Sequence, residues 1–244
     1  MGGQKTIIVT GASRGIGHAT ALRFHANGWR VITVSRSPPP GQCPWSRGRS
    51  HILLDLSVLD NIVRCVEVMR GMLEEGELHA LVNNAGTSPK GPGGSRLNSL
   101  ETDIATWQSM YNTNFYAPLL LTRGFAPELS KARGAVVNLT SIAGSRVHRF
   151  AGPAYATSKA ALAALTRELA FDLAPAGVRV NAIAPGEIDT AILSPGTPEI
   201  VERDIPMHRL GTIDEVADLV WFLCSPQSEY ITGAEIPING GQHV

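Results

Sequence analysis

The chain is 244 residues long and 43% hydrophobic, and its 21 basic and 21 acidic side chains give a formal net charge of zero. That length and apolar share suffice to bury the core of one α/β domain, and the charge balance argues against the basic face that nucleic-acid affinity requires. Three cysteines, Cys43, Cys65 and Cys224, are spaced too widely for a disulfide framework or a metal-ligand pattern, which predicts a reducing compartment.

The first predicted strand, TIIVT over 6–10, follows MGGQK without an apolar leader, and no run reaches the roughly 20 residues of a membrane span. A cytoplasmic chain with no membrane partner is therefore expected. The strand leads into TGASRGIG, where Gly11, Gly15 and Gly17 precede a helix predicted over Ile16–Asn27. Glycines there let backbone N–H groups approach a phosphate, whose charge the helix dipole favours. A plain tight turn needs the same glycines. The second strand, WRVITV over 29–34, ends in Ser35 and Arg36 with no acid. In such folds an acid at this point binds the ribose of NAD, whereas an arginine accommodates the extra phosphate of NADP. Arg36, together with Arg14 in the glycine turn, makes NADP(H) the expected cofactor in preference to NAD(H).

Residues 36–50, RSPPPGQCPWSRGRS, hold three consecutive prolines and predict a loop rather than a helix. Arg47 and Arg49 in it are either solvated charge or part of a flap over the cofactor phosphate. Further apolar runs are HILL (51–54), HALVN (79–83), GAVVNLT (134–140), VRVNAIA (178–184) and AEIPI (234–238). Helices are predicted between them at Val58–Glu74, Ile104–Leu129, Tyr155–Leu173 and Ile213–Leu223. Strands this continuously apolar are buried on both faces, so residues 1–244 are read as one domain with a Rossmann-like doubly wound parallel sheet. In AYATSK, Tyr155 and Lys159 stand four residues apart on one helix face. A solvated pair would account for that spacing equally well.

TGASRGIG, NNAG (83–86), NLTSIAG (138–144), YATSK (155–159) and APG (184–186) occur in that order. Together they resemble the short-chain dehydrogenase/reductase family, over essentially the whole chain. The resemblance implies catalysis by Asn114, Ser141, Tyr155 and Lys159. Tyr155 corresponds to the acid/base, Lys159 to its partner, Ser141 to the group that bonds the substrate carbonyl, and Asn114 to the holder of a relay water. It implies cofactor contacts from Gly11, Ser13, Arg14, Gly15, Ile16 and Gly17, from Ser35 and Arg36, and from Asp55 and Leu56 near the adenine. Asn84 would lie near the adenosine ribose, and Ala85, Gly86, Tyr155 and Lys159 would make further cofactor contacts. Pro185 and Gly186 would add cofactor contacts, and Ile188 and Thr190 after them would reach the nicotinamide carboxamide. No metal is implied. The family's members commonly form tetramers, so a homo-oligomer, tetramer or dimer, is expected. Pairing through Leu162, Leu165 and Leu169 is one arrangement; packing of those leucines on their own sheet is the other.

A free phenol ionises near pH 10, and an adjacent ammonium would lower that value. The expected activity is NADPH-dependent reduction of a small-molecule ketone or aldehyde, reversible, with Tyr155 as the acid. Two alternatives remain. One is 3-oxoacyl-[acyl-carrier-protein] reductase, although Ala132 and Ala176 stand where such enzymes carry carrier-docking arginines. The other is a non-catalytic NAD(P)-binding or regulatory protein. Substrate selection is expected from residues 87–99, 145–154 and 187–210, the last as a lid, with Arg146, His148 and Arg149 as possible grips for an anionic group.

Overall fold

The computed structural model describes residues 3–47, 50–190 and 196–244. Its seven strands are β1 (Thr6–Thr10), β2 (Arg30–Ser35), β3 (His51–Leu53), β4 (Ala80–Asn83), β5 (Ala135–Leu139), β6 (Arg179–Pro185) and β7 (Glu235–Ile238). They form one sheet in the order β3-β2-β1-β4-β5-β6-β7, and every neighbouring pair is parallel. Side chains alternate across it. Ile7 and Val9 enter one apolar cluster with Phe24 and Val220, whereas Ile8 enters the other with Met69 and Leu121. Both clusters exclude water, which is why the central strands carry no polar face. Each fully buried aliphatic side chain contributes about 1.5–3 kcal/mol. Helices α1 (Gly15–Ala26) and α8 (Ile213–Cys224) cover the first cluster. The second lies under α2 (Leu59–Arg70), α4 (Ala117–Gly124) and α6 (Pro153–Leu173). The result is a Rossmann-like single domain.

Strand order reverses between β1 and β4, so the chain leaves their carboxyl ends in opposite directions and opens a crevice there. The long helix expected over Ile104–Leu129 is broken instead into α3 (Ile104–Tyr111), a π-helical turn at Asn112–Tyr116, α4, and α5 (Ala126–Ala132). Two prolines explain the breaks. Pro118 cannot donate to the carbonyl of Asn114, nor Pro127 to that of Arg123, so the regular ladder fails at both places. A further helix, α7 (Thr197–Asp204), lies within the segment expected as a lid.

The loop after β2 is held more firmly than its prolines suggest. A 3-10 turn at Pro44–Arg47 buries Trp45, and Cys43 beside it, in the first cluster, with the Trp45 ring edge-on to His18 and His25 of α1. All three cysteines are buried and free. Leu162 and Leu169 of α6 are buried within the chain, and Leu165 packs against the cluster that holds Leu169, which supports the own-sheet arrangement of the two considered. Among the described residues no helix is long and apolar enough to cross a membrane.

Candidate active site

The crevice widens into a cleft of about 730 Å³ that runs from the end of β2, over the glycine turn, to the start of α6. Its floor at the switch point is a polar clasp. The backbone N–H groups of Asn84 and Ala85 each donate to Thr10 Oγ1 at 3.0 Å, and Asn84 Nδ2 donates to the carbonyls of Thr10 and Gly11 at 2.9 and 3.2 Å. This closeness accounts for two glycines. A Cβ on Gly17 would lie 2.3 Å from Asn84 Nδ2, and one on Gly11 would lie 2.8 Å from Ala85 Cα. Gly11 and Gly15 also hold φ of 69° and 58°, where a side chain is strained. Helix α1 starts here with no side-chain cap and no acid in its first turn, so its leading N–H groups face the cleft. A dinucleotide pyrophosphate fits these features, as bare backbone donors meet a positive helix end.

Every predicted cofactor contact lines the cleft except Gly17, which packs behind the turn. At the β2 end Arg36 is exposed and, like Arg14, forms no ion pair with another described residue. Asp55 has its carboxyl held below the usual range chiefly by the Ser57 N–H at 2.9 Å, with the nearby Arg36 charge adding to the effect. Ser37 and Pro38 also line this end, so the first part of the proline-rich loop does border the cleft. The side chain of Arg47 and the whole of Arg49 lie outside the described residues, and with them the flap expectation.

At the other end, Gly152 and Pro153 start α6 so that Tyr155 stands in its first turn, beside Ser141 and Lys159. The Ser141 hydroxyl lies close enough to the Tyr155 phenol to favour its ionised form. Lys159 is 3% exposed, and its ammonium donates to the Leu139 carbonyl at 2.5 Å, 5.8 Å from the centroid of the Tyr155 ring. Asn114 does not line the cleft. It sits fully buried in the π turn, its amide clasping both backbone groups of Thr87 at 2.9 and 3.1 Å and donating to Ser158 Oγ at 3.0 Å. Gly86 runs above both groups, and a Cβ there would lie 3.3 Å from Lys159 Nζ and 3.4 Å from Asn114 Oδ1.

The expected acidification of the phenol is not found in this arrangement. Burial raises the Tyr155 pKa, the Ser141 hydroxyl only partly opposes that, and the charge of Glu187 adds to the rise. Lys159 is itself pushed down to about 8 by burial, so its charge is costly to hold and is directed at a carbonyl.

Thr87, Ser88 and Glu187 line the cleft from the segments expected to select substrate, whereas Leu54, Thr113 and Thr140 were not anticipated. Of the three candidate anion grips, Arg146 instead donates to the Gln242 carbonyl, and Arg149 is exposed. His148 binds Glu187, Nε2 to Oε1, at 2.7 Å. Lys90 donates to the Phe150 carbonyl and is drawn electrostatically toward Glu187. These ties join the segments around 90, 150 and 187, and only contacts across the fold reveal them. Ile188 and Thr190 line the cleft as expected.

A family model described as Enoyl-(Acyl carrier protein) reductase matches residues 11–243. Protein FixR of Bradyrhizobium diazoefficiens is 55% identical over 100% of this chain and 88% of its own length. The 3-oxoacyl-[acyl-carrier-protein] reductase FabG of Pseudomonas aeruginosa is 33% identical over 98% of each chain. Among solved structures, an oxidoreductase of the short chain dehydrogenase/reductase family from Brucella ovis, in complex with a partially ordered NAD, superposes with a TM-score of 0.84 at 55% identity, covering 97% of this chain and all of that one.

Proposed function

The chain belongs to the short-chain dehydrogenase/reductase family of oxidoreductases, and from that premise we propose that it reduces a small-molecule ketone or aldehyde with NADPH, Tyr155 delivering the proton. The observation that carries this reading is the joint placement of Tyr155, Ser141 and Lys159 at one end of a cleft whose middle is a bare glycine turn. A reduced nicotinamide, when bound, supplies hydride. The residues do the rest. The Tyr155 hydroxyl, kept protonated by burial, gives its proton to the carbonyl oxygen as charge develops there. Ser141 donates a second hydrogen bond to that oxygen, of a kind worth about 3–4 kcal/mol in the transition state. Lys159 holds the nicotinamide ribose, and Asn114 anchors Thr87 and carries the route by which Tyr155 is reprotonated. Arg14 and Arg36, free of ion pairs with described residues, take the 2′-phosphate, while Ile188 and Thr190 meet the carboxamide.

NAD is the alternative cofactor, since solved structures of relatives from Brucella ovis and Brucella melitensis hold it. Reduction of an acyl group on a carrier protein is the alternative substrate reading. It is favoured by the FabG relatives and by Arg133, whose guanidinium packs against Gly177, next to Ala176. We further propose a cytoplasmic homo-oligomer, in which the exposed Phe171 of α6 would find cover. The test is oxidation of NADPH across ketoesters, diketones, sugars, quinones and aldehydes. Carbonyl-dependent loss of nicotinamide absorbance is expected. Tight NADPH binding without turnover of any of them would turn the reading toward a regulatory protein.

A further inference from the structure

Glu187 follows the Pro185-Gly186 turn and lines the same cleft as Tyr155 and Ser141. Its side chain is 14% exposed. Oε1 is taken by His148 Nε2 at 2.7 Å, and the other ring nitrogen of His148 accepts from the Phe150 N–H at 3.3 Å. That second bond fixes the tautomer, since an acceptor Nδ1 carries no proton, so Nε2–H is the donor toward Glu187. Glu187 Oε2 has no hydrogen-bond partner among the described residues. That second oxygen is open to the cleft rather than sealed away, so it is an acceptor free to take a donor from a molecule bound there.

Building on the carbonyl-reductase reading, we propose that Glu187, positioned by His148, accepts a hydrogen bond from a hydroxyl group on the substrate and thereby selects hydroxylated carbonyl compounds. The charges around it narrow the donor. An anionic substrate would meet a like charge at Glu187. A cationic one would meet Lys159 in the same cleft, and the nearby Lys90 already interacts electrostatically with Glu187. A neutral hydroxyl avoids both penalties and satisfies the free oxygen. Sites built to hydrogen-bond a substrate hydroxyl discriminate strongly against analogues that lack it, because the site's polar group is then left unpaired.

The experiment compares kcat/KM for matched ketones with and without a hydroxyl, placed one, two or three carbons from the carbonyl. Wild type, Glu187→Gln and Glu187→Leu are measured with NADPH, alongside NADPH affinity and thermal melting to establish that each variant is folded. Wild type is expected to favour the hydroxylated member of at least one pair by about 10- to 100-fold, the range for a hydrogen bond to a charged acceptor. Glu187→Gln should reduce that ratio and Glu187→Leu should bring it close to one. A wild type with no hydroxyl preference overturns the proposal. So does a preference that survives in Glu187→Leu, which would make the His148–Glu187 pair only a tie between loops. In either case turnover of the plain ketones leaves the carbonyl-reductase reading standing, whereas absence of turnover on every pair defeats that reading first.

Discussion

The two ends of the cleft are built from different materials. The nucleotide end is backbone: a glycine turn, a helix start without a cap, and a clasp joining β1 to β4 through Thr10 and Asn84. Its geometry is set within a few residues of each strand end. The substrate end is made of side-chain ties between distant segments, Lys90 to Phe150, Arg96 to Ala151, His148 to Glu187 and Arg146 to Gln242. On the proposed reading, the first end serves a cofactor shared by many reactions and the second a particular molecule. A change at the first should therefore act on binding of any nucleotide, and a change at the second on choice among substrates.

The largest effect that would sharpen this contrast is expected where the two ends meet. Lys159→Met should lower kcat by roughly a thousandfold, since it strips the ribose contact and the charge beside Tyr155. The same change should not weaken the fold. The ammonium loses its proton at about 8 in the native chain against an ordinary value of 10.5. An unfolded chain thus binds more protons between those two values, so this group's contribution to stability is poorest below pH 8 and improves as pH rises through that window. Removing it should raise stability at pH 7 by ~1–3 kcal/mol, read by denaturant titration. A destabilised Lys159→Met would show that its bond to Leu139 outweighs the burial of charge.

Next in size is Gly17→Ala. The added methyl would fall on Asn84 Nδ2 and the Gly11 carbonyl, at 2.3 and 2.6 Å, so the turn must open. NADPH and NADH affinity should both fall by roughly a hundredfold in fluorescence titrations, with any remaining substrate preference unaltered. A smaller effect is expected of Arg14→Ala and Arg36→Ala, each costing about tenfold in affinity for NADPH and little for NADH. Equal losses for both nucleotides would point to a role in the turn rather than at the 2′-phosphate. The mildest is a pH effect. The kcat/KM for reduction should decline several-fold above about pH 8 as Lys159 neutralises in the free enzyme.

The same contrast decides what was legible in the sequence. Strands buried on both faces announce themselves by unbroken β-branched runs, and the glycine turn and the Tyr155–Lys159 spacing are local patterns. These were readable. Pro118 was a visible signal for the π turn that seats Asn114, because a proline four residues on cannot complete its hydrogen bond, and the continuous helix expected there overlooked it. Trp45 anchoring the proline-rich loop to α1, and Glu187 meeting His148 across 39 positions of sequence, left no periodicity to read. The direction of the Tyr155 shift belongs to the same group. Spacing predicts that Lys159 is near, whereas burial and the carbonyl of Leu139 decide what its charge does.

Proton delivery by Tyr155 is tested most directly by Tyr155→Phe, with kcat on a carbonyl that wild type reduces and NADPH affinity measured on the same preparation. The partly buried ring keeps its packing in this variant and loses only the hydroxyl. A fall in kcat of about a thousandfold or more with NADPH affinity unchanged is the predicted result, and a kcat within tenfold of wild type would contradict it.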